Sequence, residues 1–420
     1  MKKGYLSQYF TGVATKILSE VETDIRTSHQ HEFNGVEGLK VILGTLDGDT
    51  KIRLKANFLY FSDQDPEPVS DDGEMTWYDA RAKARLERGV NRYEHRLYFS
   101  SNTVLDCAAE GDLLLIAKKQ DGSLLVIIAE KGSTISKQLL WLFGMLDSSY
   151  PNFSIRSELE TEQDRIEFAS RTILENIGIE VEVADESYLD RMLELFDGGF
   201  PNTKLFSAYA RSTLPDLNPA DDPDAAIIAW IEREEILFRT LEKHLIADRL
   251  QKGFNNETGG TVDVDGFISF SLSVQNRRKS RAGAGLENHL EEIFNGCGIR
   301  YSRSVFTEGR KSPDFLFPGK REYDDSLYNP LNLTMLGVKT TCKDRWRQVL
   351  SEAARIRNKH LFTLEAAISE HQTDEMKSDR LQLVLPSSLY ETYTPSQRSW
   401  LINLTEFINT VKTRQEMQLN

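Results

Sequence analysis

Two short segments decide the fold class: SPDFLFP at residues 312–318 and LTMLGVKTT at residues 333–341. In the first, Asp314 stands before an apolar run, which places a carboxylate at the mouth of a short buried strand. In the second, an apolar run predicts another buried strand that ends at Lys339. Each segment alone also fits a turn aspartate or a lysine that reaches water. Together they predict two strands whose ends carry ionisable groups.

Two glutamates accompany these strands on predicted helices. The segment after Lys339 predicts a helix with an apolar stripe formed by Trp346, Val349, Leu350, Ala353 and Ile356. Glu352 lies three residues after Val349 and four before Ile356, so we expect it to project on the apolar side, where a carboxylate is costly unless something neutralises it. Glu287, in GLENHLEEIF (residues 285–294), is placed similarly but fits a partly exposed helix residue equally well.

Asp314, Lys339 and Glu352 supply two carboxylates and one ammonium on adjacent elements, a set suited to metal-assisted phosphodiester hydrolysis. Mg²⁺ prefers hard oxygen ligands and can neutralise charge on a phosphate, while Lys339 would orient or deprotonate the attacking water. In the commonest nuclease pattern an acidic residue stands two before the lysine, and here that position is Gly337. Glu352 can supply the missing ligand.

Composition limits the class of protein. The 420 residues include 51 Lys and Arg and 65 Asp and Glu, a formal net charge of -14, which argues mildly against a nucleic-acid partner. DNA binding needs only a local basic surface, so the net charge does not decide the matter. Three scattered cysteines fit neither a disulfide framework nor a zinc site, and no stretch approaches the roughly 20 apolar residues of a membrane span. These features predict a soluble cytoplasmic protein.

The chain divides into regions of different pattern. Strand-like runs dominate the first part, among them VEGLKVILG, IRLKANFLYF, DLLLIAKK and SLLVIIAEK. Later, DAAIIAWIEREEILFRTLEKHLIADRL repeats apolar residues at three and four, which predicts a long helix that buries one face. We therefore predict a mostly β domain over residues 1–165, a linker over 166–185 and an α/β domain over 186–420.

The C-terminal segments SVQNRRKSRAGAGLE, EGRKSPDFLFP, VKTTCKDRWRQVLSEA and VLPSSLY resemble the catalytic domain of EcoRII-type restriction endonucleases, within the CCGG-type restriction enzymes. The resemblance covers roughly residues 190 to 400, and this group is known for a displaced glutamate. It implies a PD-(D/E)xK restriction-endonuclease fold, with Asp314, Lys339 and Glu352 catalytic, Asp314 and Glu352 binding Mg²⁺, and Glu287 as a secondary acidic member.

A trio directly after the second strand, Lys343, Asp344 and Arg345, could read G·C pairs in the major groove, because Lys and Arg donate to guanine and Asp accepts from cytosine. A solvated helix start capped by Asp344 is the alternative. In the relatives the corresponding trio reads the CC/GG pairs, which favours the DNA role. Phosphate contacts are expected from a further group of basic residues: Arg347, Arg277, Arg278, Lys279 and Arg281.

The N-terminal part resembles the effector-binding domain of the same family, a B3-like pseudobarrel, through YFTGVATKILS, SHQH and NRYEHRLYF. Arg92, Glu94 and Arg96 are predicted to alternate along a strand and share one face, with His95 opposite. That face could bind DNA or could be a cross-strand charge cluster. His29 could touch DNA or lie in a loop. This domain could also read another sequence or a modified base.

The residues predict Mg²⁺-dependent phosphodiester hydrolysis, and the resemblance implies a type II restriction endonuclease of the type IIE class that cuts duplex DNA at a CC…GG-type (CCWGG-like) site to leave staggered 5′-phosphate ends. The resemblance and the two-fold symmetry of such a site imply a homodimer and a cognate DNA methyltransferase in the same restriction-modification system. One rival is a catalytically inert or regulatory DNA-binding protein. Another is a repair or nicking nuclease on the same fold.

Overall fold

The computed structural model describes residues 2–23, 31–65, 67–89, 91–146, 152–181, 186–255, 261–342 and 345–417. The chain forms two compact units. Unit 1 comprises residues 1–180 and 366–373, and unit 2 comprises residues 181–365 and 374–420. The protein is thus a multi-domain molecule that contains both helices and sheets.

Unit 1 is built on one eight-stranded sheet with the strand order β2-β5-β4-β3-β7-β6-β1-β8. Its strands are β1 (Phe10–Ile17), β2 (Glu32–Asn34), β3 (Ile52–Phe61), β4 (Val69–Asp79), β5 (His95–Phe99), β6 (Leu113–Lys119), β7 (Leu124–Ala129) and β8 (Ser154–Arg156). The β3–β7 pair is parallel and the other pairs are antiparallel. The runs predicted as strands at 52–61, 112–119 and 123–131 therefore form β3, β6 and β7.

The sheet of unit 1 is curled around an apolar cluster on one of its faces. Phe33 on the edge strand β2 belongs to the same buried cluster as Ala14 on β1, near the opposite edge of the strand order. Ile155 on β8, the other edge, packs against that cluster. A flat sheet cannot bring both edges to one core, so the sheet must bend toward closure.

The α-helices of unit 1 are short. They are α1 (Glu20–Thr23), α2 (Lys40–Leu43), α3 (Ala82–Arg88), α4 (Thr134–Leu142) and α5 (Phe168–Asn176). The strand predicted for VEGLKVILG is wrong, because this segment forms a 3-10 turn followed by α2. Its buried residues Leu39, Ile42 and Leu43 follow the three-and-four spacing of a helix rather than the alternation of a strand.

Unit 2 contains a five-stranded mixed sheet in the order β13-β12-β11-β10-β9. Its strands are β9 (Ser302–Arg303), β10 (Phe315–Phe317), β11 (Thr334–Lys339), β12 (Lys359–Thr363) and β13 (Leu381–Val384). β9, β10 and β11 pair antiparallel, whereas β11, β12 and β13 pair parallel. The two strands predicted from SPDFLFP and LTMLGVKTT are β10 and β11, neighbours in this sheet.

Helices account for most of the rest of unit 2. They are α6 (Leu189–Leu195), α7 (Thr203–Ser212), α8 (Pro223–Lys252), α9 (Val264–Gly296), α10 (Lys320–Asp324), α11 (Trp346–Leu350), α12 (Glu370–Ser378), which begins in the segment assigned to unit 1, α13 (Pro395–Arg398) and α14 (Leu404–Glu416). None of the helices in the described ranges combines the length and the hydrophobicity that a membrane span requires.

One face of the five-stranded sheet packs against helix α9. Phe294 of α9 lies over Phe315 and Phe317 of β10, with ring centroids 5.1 and 5.2 Å apart, and Phe407 of α14 contacts Phe317 at 5.7 Å. These edge-to-face contacts fix α9 across the strands. Because side chains alternate along a strand, Asp314 and Leu316 point to the opposite face.

The segment 166–185, predicted to be a linker, includes helix α5. The chain passes from unit 1 to unit 2 between residues 180 and 181. The functional domain limits 1–165 and 186–420 stay a prediction.

Candidate active site

Asp314 and Lys339 meet where strands β10 and β11 lie side by side. Asp314 directly precedes β10, and Lys339 is the last residue of β11. Asp314 Oδ2 accepts a hydrogen bond from the Val338 amide (2.6 Å) and lies 3.3 Å from Lys339 Nζ. The backbone therefore fixes the carboxylate, and the carboxylate holds the ammonium.

Glu352 is half-buried near this pair, but its predicted position on a helix is wrong. Helix α11 ends at Leu350, and Glu352 lies in the following turn. Ala353 has a left-handed backbone (φ 45°), which interrupts the helix, and the Lys359 ammonium donates a hydrogen bond to the Glu352 carbonyl oxygen. This turn, rather than a position on a helix, places the Glu352 carboxylate near Asp314 and Lys339.

The Glu352 carboxyl group lies in an unfavourable environment for a negative charge. Burial, reinforced by the nearby Asp314 carboxylate, raises its pKa to about 7. Lys339 and Lys359 oppose the shift only in part. Its Oε2 atom is buried and has no hydrogen-bond partner among the described residues. Such an oxygen is expected where a cation or a proton completes the site.

Glu287 approaches the same centre from helix α9. Burial raises the pKa of its carboxyl group, and the Asp314 carboxylate raises it further, whereas Arg303 and Lys339 oppose the shift. Arg303 Nη2 binds Glu287 Oε2 at 3.0 Å. The structure thus brings Asp314, Lys339, Glu352 and Glu287 into one electrostatic neighbourhood.

Sequence reasoning missed Arg303. It lies on the edge strand β9, where a lone arginine carries no local signal of function. Only the pairing of β9 with β10, which sets Arg303 opposite Phe315, brings it next to Asp314.

Gly337 occupies the position where the commonest nuclease pattern has an acid. A Cβ atom at this glycine would lie 2.7 Å from Val349 Cγ2 and 3.0 Å from Val349 Cγ1. Valine is branched at Cβ and has little rotamer freedom, so it cannot move aside easily. Helix α11 therefore leaves no room for a side chain at this point of β11.

The residues predicted to contact DNA near this centre are only partly described. Lys343 and Asp344 lie outside the described residues, as does His29 in the N-terminal part. Arg345 is exposed immediately before helix α11. Arg347 is exposed on that helix, and its Nη2 atom lies 2.9 Å from Glu375 Oε2.

The basic run predicted to bind phosphates lies on helix α9 and packs partly against its neighbours. Arg278 Nε binds the buried Glu242 of α8 at 2.6 Å. Arg281 is buried and donates to the carbonyl of Pro201. Arg277 stacks on Phe200 at 4.2 Å, and Lys279 is exposed. The structure thus gives Arg278 and Arg281 roles in packing.

In unit 1, the predicted alternation of Arg92, Glu94 and Arg96 along a strand is wrong. Strand β5 begins only at His95, so Arg92 and Glu94 precede it. Arg96 Nη2 binds Glu94 Oε1 at 2.5 Å, and Arg81 Nε binds Glu94 Oε2 at 2.7 Å. These two bonds lower the pKa of Glu94 to about 2. Glu94 and Arg96 are thus partners of each other in a charge cluster.

Within the described ranges, no group of three or more His, Cys, Asp and Glu side chains is arranged to hold a metal ion. Mg²⁺ commonly uses only one or two carboxylates and keeps several waters. Asp314 and Glu352 are the pair with the matching chemistry: oxygen ligands, close enough to raise the pKa of Glu352, with one oxygen unpartnered.

Comparisons with known proteins identify the class as type II restriction enzymes. Residues 238–408 match the family model described as "EcoRII C terminal". The type II restriction enzyme EcoRII of Escherichia coli is 33% identical over 346 residues, which cover 79% of this chain and 77% of that enzyme. The chain therefore belongs to the EcoRII family.

Other similarities are more limited. The type II restriction enzyme SsoII of Shigella sonnei is 34% identical over 110 residues, covering 24% of this chain and 35% of that enzyme. Among solved structures, metal-depleted Ecl18kI in complex with uncleaved, modified DNA has a TM-score of 0.42 and 18% identity, covering 57% of this chain and 87% of that one. A PspGI–substrate DNA complex has a TM-score of 0.43 and 16% identity, and the match covers 52% of this chain and 94% of that one.

Proposed function

We propose that this protein is a Mg²⁺-dependent restriction endonuclease that cuts duplex DNA at a CC…GG-type (CCWGG-like) site and leaves staggered 5′-phosphate ends. The observation that carries the proposal is the convergence of Asp314, Lys339 and Glu352, with Glu352 Oε2 buried and unpartnered among the described residues. A protein that only bound DNA would gain nothing from a buried carboxylate next to Asp314. Membership of the EcoRII family supports the same reaction class.

The roles follow from the chemistry of each side chain. Asp314 and Glu352 would hold Mg²⁺, because both offer hard oxygen ligands and the unpartnered oxygen of Glu352 is free to accept a cation. When bound, the metal would neutralise charge that develops on the scissile phosphate. Lys339, fixed by Asp314, would orient the attacking water and exchange a proton with it at Nζ. Glu287 would act as a secondary acidic group.

Recognition is proposed at the start of helix α11, directly beside the catalytic strand. Arg345 is exposed there and, with Lys343, would donate to guanine O6 and N7, whereas Asp344 would accept from cytosine N4. Arg347, and Arg277 with Lys279 on α9, would contact phosphates. Because Lys343, Asp344 and Arg345 follow Lys339 closely in the chain, correct recognition and cutting would be coupled.

Unit 1 is proposed to be a B3-like effector domain that binds a second copy of the target. Its curled, mostly antiparallel sheet supports this class of fold. Arg92, Glu94, Arg96 and His29 remain the proposed contacts there. Arg96 and Glu94 would first have to exchange their mutual bond for bonds to DNA.

The active protein is proposed to be a homodimer, because a palindromic site matches two-fold protein symmetry and both strands must be cut. A nuclease of this specificity would also cut the DNA of its host. We therefore expect a cognate methyltransferase that modifies the same site.

The test is digestion of plasmid DNA with Mg²⁺, with and without EDTA, followed by sequencing of the fragment ends. Uniform ends within a CC…GG motif, lost with EDTA, would support the proposal and identify the central bases. Cutting that followed mismatches rather than sequence would favour a repair nuclease. Intact DNA on single-site and multi-site plasmids would favour an inert binding protein.

Lys339→Ala should lower the cleavage rate by about 10²–10⁴-fold, because a positioned proton-transfer group is lost. DNA binding in EDTA, measured by gel shift, should change little. Lys377→Ala is the matched control, since Lys377 is exposed on helix α12. Normal turnover by Lys339→Ala would contradict the assignment.

A further inference from the structure

Arg303 forms a three-way connection between strand β9 and helix α9. Its Nη1 atom lies 2.9 Å from Asn288 Oδ1 and 2.9 Å from Glu291 Oε2, and its Nη2 atom lies 3.0 Å from Glu287 Oε2. Glu291 lies four residues after Glu287 and three after Asn288, so it is a neighbour of both on the surface of α9. A guanidinium can serve them together because its donors form a rigid planar fork.

The fork itself is held in place. Asn288 is buried, and its side-chain amide donates to Ser207 Oγ of α7 at 3.1 Å. Arg303 also lies over the Phe315 ring at 5.9 Å, on the strand that begins after Asp314. The arginine is therefore constrained by helices α7 and α9 and by strand β10.

The next residue along the chain extends this connection to Asp314. Ser304, in a left-handed conformation (φ 52°), donates its amide to the Asp314 carbonyl oxygen at 3.0 Å. Two consecutive residues, Arg303 and Ser304, thus contact Glu287 and Asp314. These are two of the acidic groups of the candidate active site.

We propose that Arg303 is a positioning residue that holds the Glu287 carboxylate at the active site against repulsion from Asp314. This inference rests on the proposed nuclease function. Glu287 and Asp314 carry like charges in a partly buried place, so Glu287 would turn away if its cationic partner were removed. Arg303 acts through Glu287 and not on the DNA.

The test compares Arg303→Ala and Arg303→Lys with the unsubstituted protein of 420 residues, in single-turnover cleavage with enzyme in excess. Removing a group that orients an active-site side chain typically costs about 10–100-fold, and we expect that loss for Arg303→Ala. Arg303→Lys keeps the charge but not the fork, so it should recover only part of the rate. DNA binding in EDTA should stay within about twofold for both, since Arg303 does not act on the DNA.

A double-mutant cycle with Glu287→Gln separates positioning from a structural role. If Arg303 acts through Glu287, Arg303→Ala should cost little further cleavage rate once Glu287 is changed. Independent, multiplying effects of the two substitutions would overturn the inference. So would an Arg303→Ala rate equal to that of the wild type.

Lys204→Ala is the matched control, because Lys204 is an exposed cation that pairs with Glu291 at 3.2 Å but does not reach Glu287. It should cleave at the wild-type rate. Thermal melting of all variants in EDTA would detect loss of folding, and Arg303→Lys keeps the test valid if Arg303→Ala unfolds. A wild-type protein that cuts no DNA would overturn the proposed function and this inference together, whereas active wild type with unaffected Arg303 variants would overturn this inference alone.

Discussion

At the residue scale, the proposed metal role of Glu352 would connect protonation to metal binding. Its ordinary pKa of 4.5 is raised to about 7, so without a cation much of the carboxyl is protonated at neutral pH. A cation that binds there has to displace the proton, and metal affinity then depends on pH.

The Mg²⁺ concentration that gives half-maximal cleavage should therefore fall as pH rises toward about 7, by up to about tenfold per pH unit, and level off above it. The measurement is a Mg²⁺ titration of the single-turnover rate from pH 5.5 to 8.5. A half-saturating concentration that does not vary with pH would contradict the assignment of Glu352 to the metal.

The same shift affects stability without metal. Because the pKa of folded Glu352 lies above its unfolded value, its stabilising effect is complete below about 4.5 and is lost as pH rises through about 7. In EDTA, Glu352→Gln should raise the Tm at pH 8 and leave it nearly unchanged at pH 4.5. Glu391→Gln, at an exposed residue, serves as the control. An equal effect of Glu352→Gln at both pH values would contradict the raised pKa.

The candidate site was only partly predictable from the sequence, and the limit is physical. The placement of Asp314 and Lys339 at strand ends was predictable because each stands at the end of a short apolar run, a local pattern. The helical position predicted for Glu352 was wrong, because the left-handed Ala353 and the Lys359 contact depend on distant chain segments. Arg303 could not be found, since only sheet pairing places it.

At the scale of elements, helices α8 and α9 approach each other closely at Gly285. A Cβ atom there would lie 2.9 Å from Glu234 Oε1 on α8, whose Oε2 atom is 2.9 Å from His289 Nε2. Gly283, two residues earlier on α9, has no atom within 4 Å of its Cβ position. The two glycines therefore form a matched pair.

Gly283→Ala should stabilise the protein by up to about 1 kcal/mol, the intrinsic helix preference of alanine over glycine. Gly285→Ala should lose that gain and destabilise, because the methyl group displaces Glu234 from its partner. Urea unfolding of both variants would measure the difference. A Gly285→Ala protein as stable as Gly283→Ala would show that Glu234 moves without cost.

Long and strongly patterned elements were predicted better than short ones. The stretch predicted as a long amphipathic helix is α8, with buried residues such as Ile227, Trp230 and Leu237 at helical spacing. The strand prediction for residues 36–44 was wrong because this short, apolar-rich stretch fits the spacing of a helix as well as that of a strand. Packing inside the curled sheet selected a helical turn. The prediction that Arg92 lies on a strand was wrong because strand β5 begins only at His95.

At the scale of the whole molecule, the division into units is not collinear with the chain. Unit 1 includes residues 366–373, where Gln138 donates to the Ala366 carbonyl (2.8 Å) and the Ser369 amide donates to Thr134 (3.1 Å). Sequence patterning predicts contiguous domains, because it contains no signal for a segment that returns to an earlier unit. Cleaving the chain at a single point between the units would therefore separate unit 1 from part of itself.

If unit 1 binds a second target site, a plasmid with two sites should be cut faster than a plasmid with one, because tethering on one DNA raises the effective concentration of the second site. Initial rates on otherwise identical plasmids measure the effect. Adding a short duplex that carries the site should accelerate the single-site plasmid, and a scrambled duplex should not. Equal rates on both plasmids would contradict effector binding.

The contact between Gly337 and Val349 also limits how such a site can evolve. An acidic residue at position 337 would clash with Val349, so it could not take over the role of Glu352. That single substitution should therefore destabilise the site. A smaller residue at 349 would have to come first, at a time when it brings no catalytic benefit. The displaced glutamate is then retained in descendants by the order in which substitutions must occur, even if both arrangements would catalyse equally well.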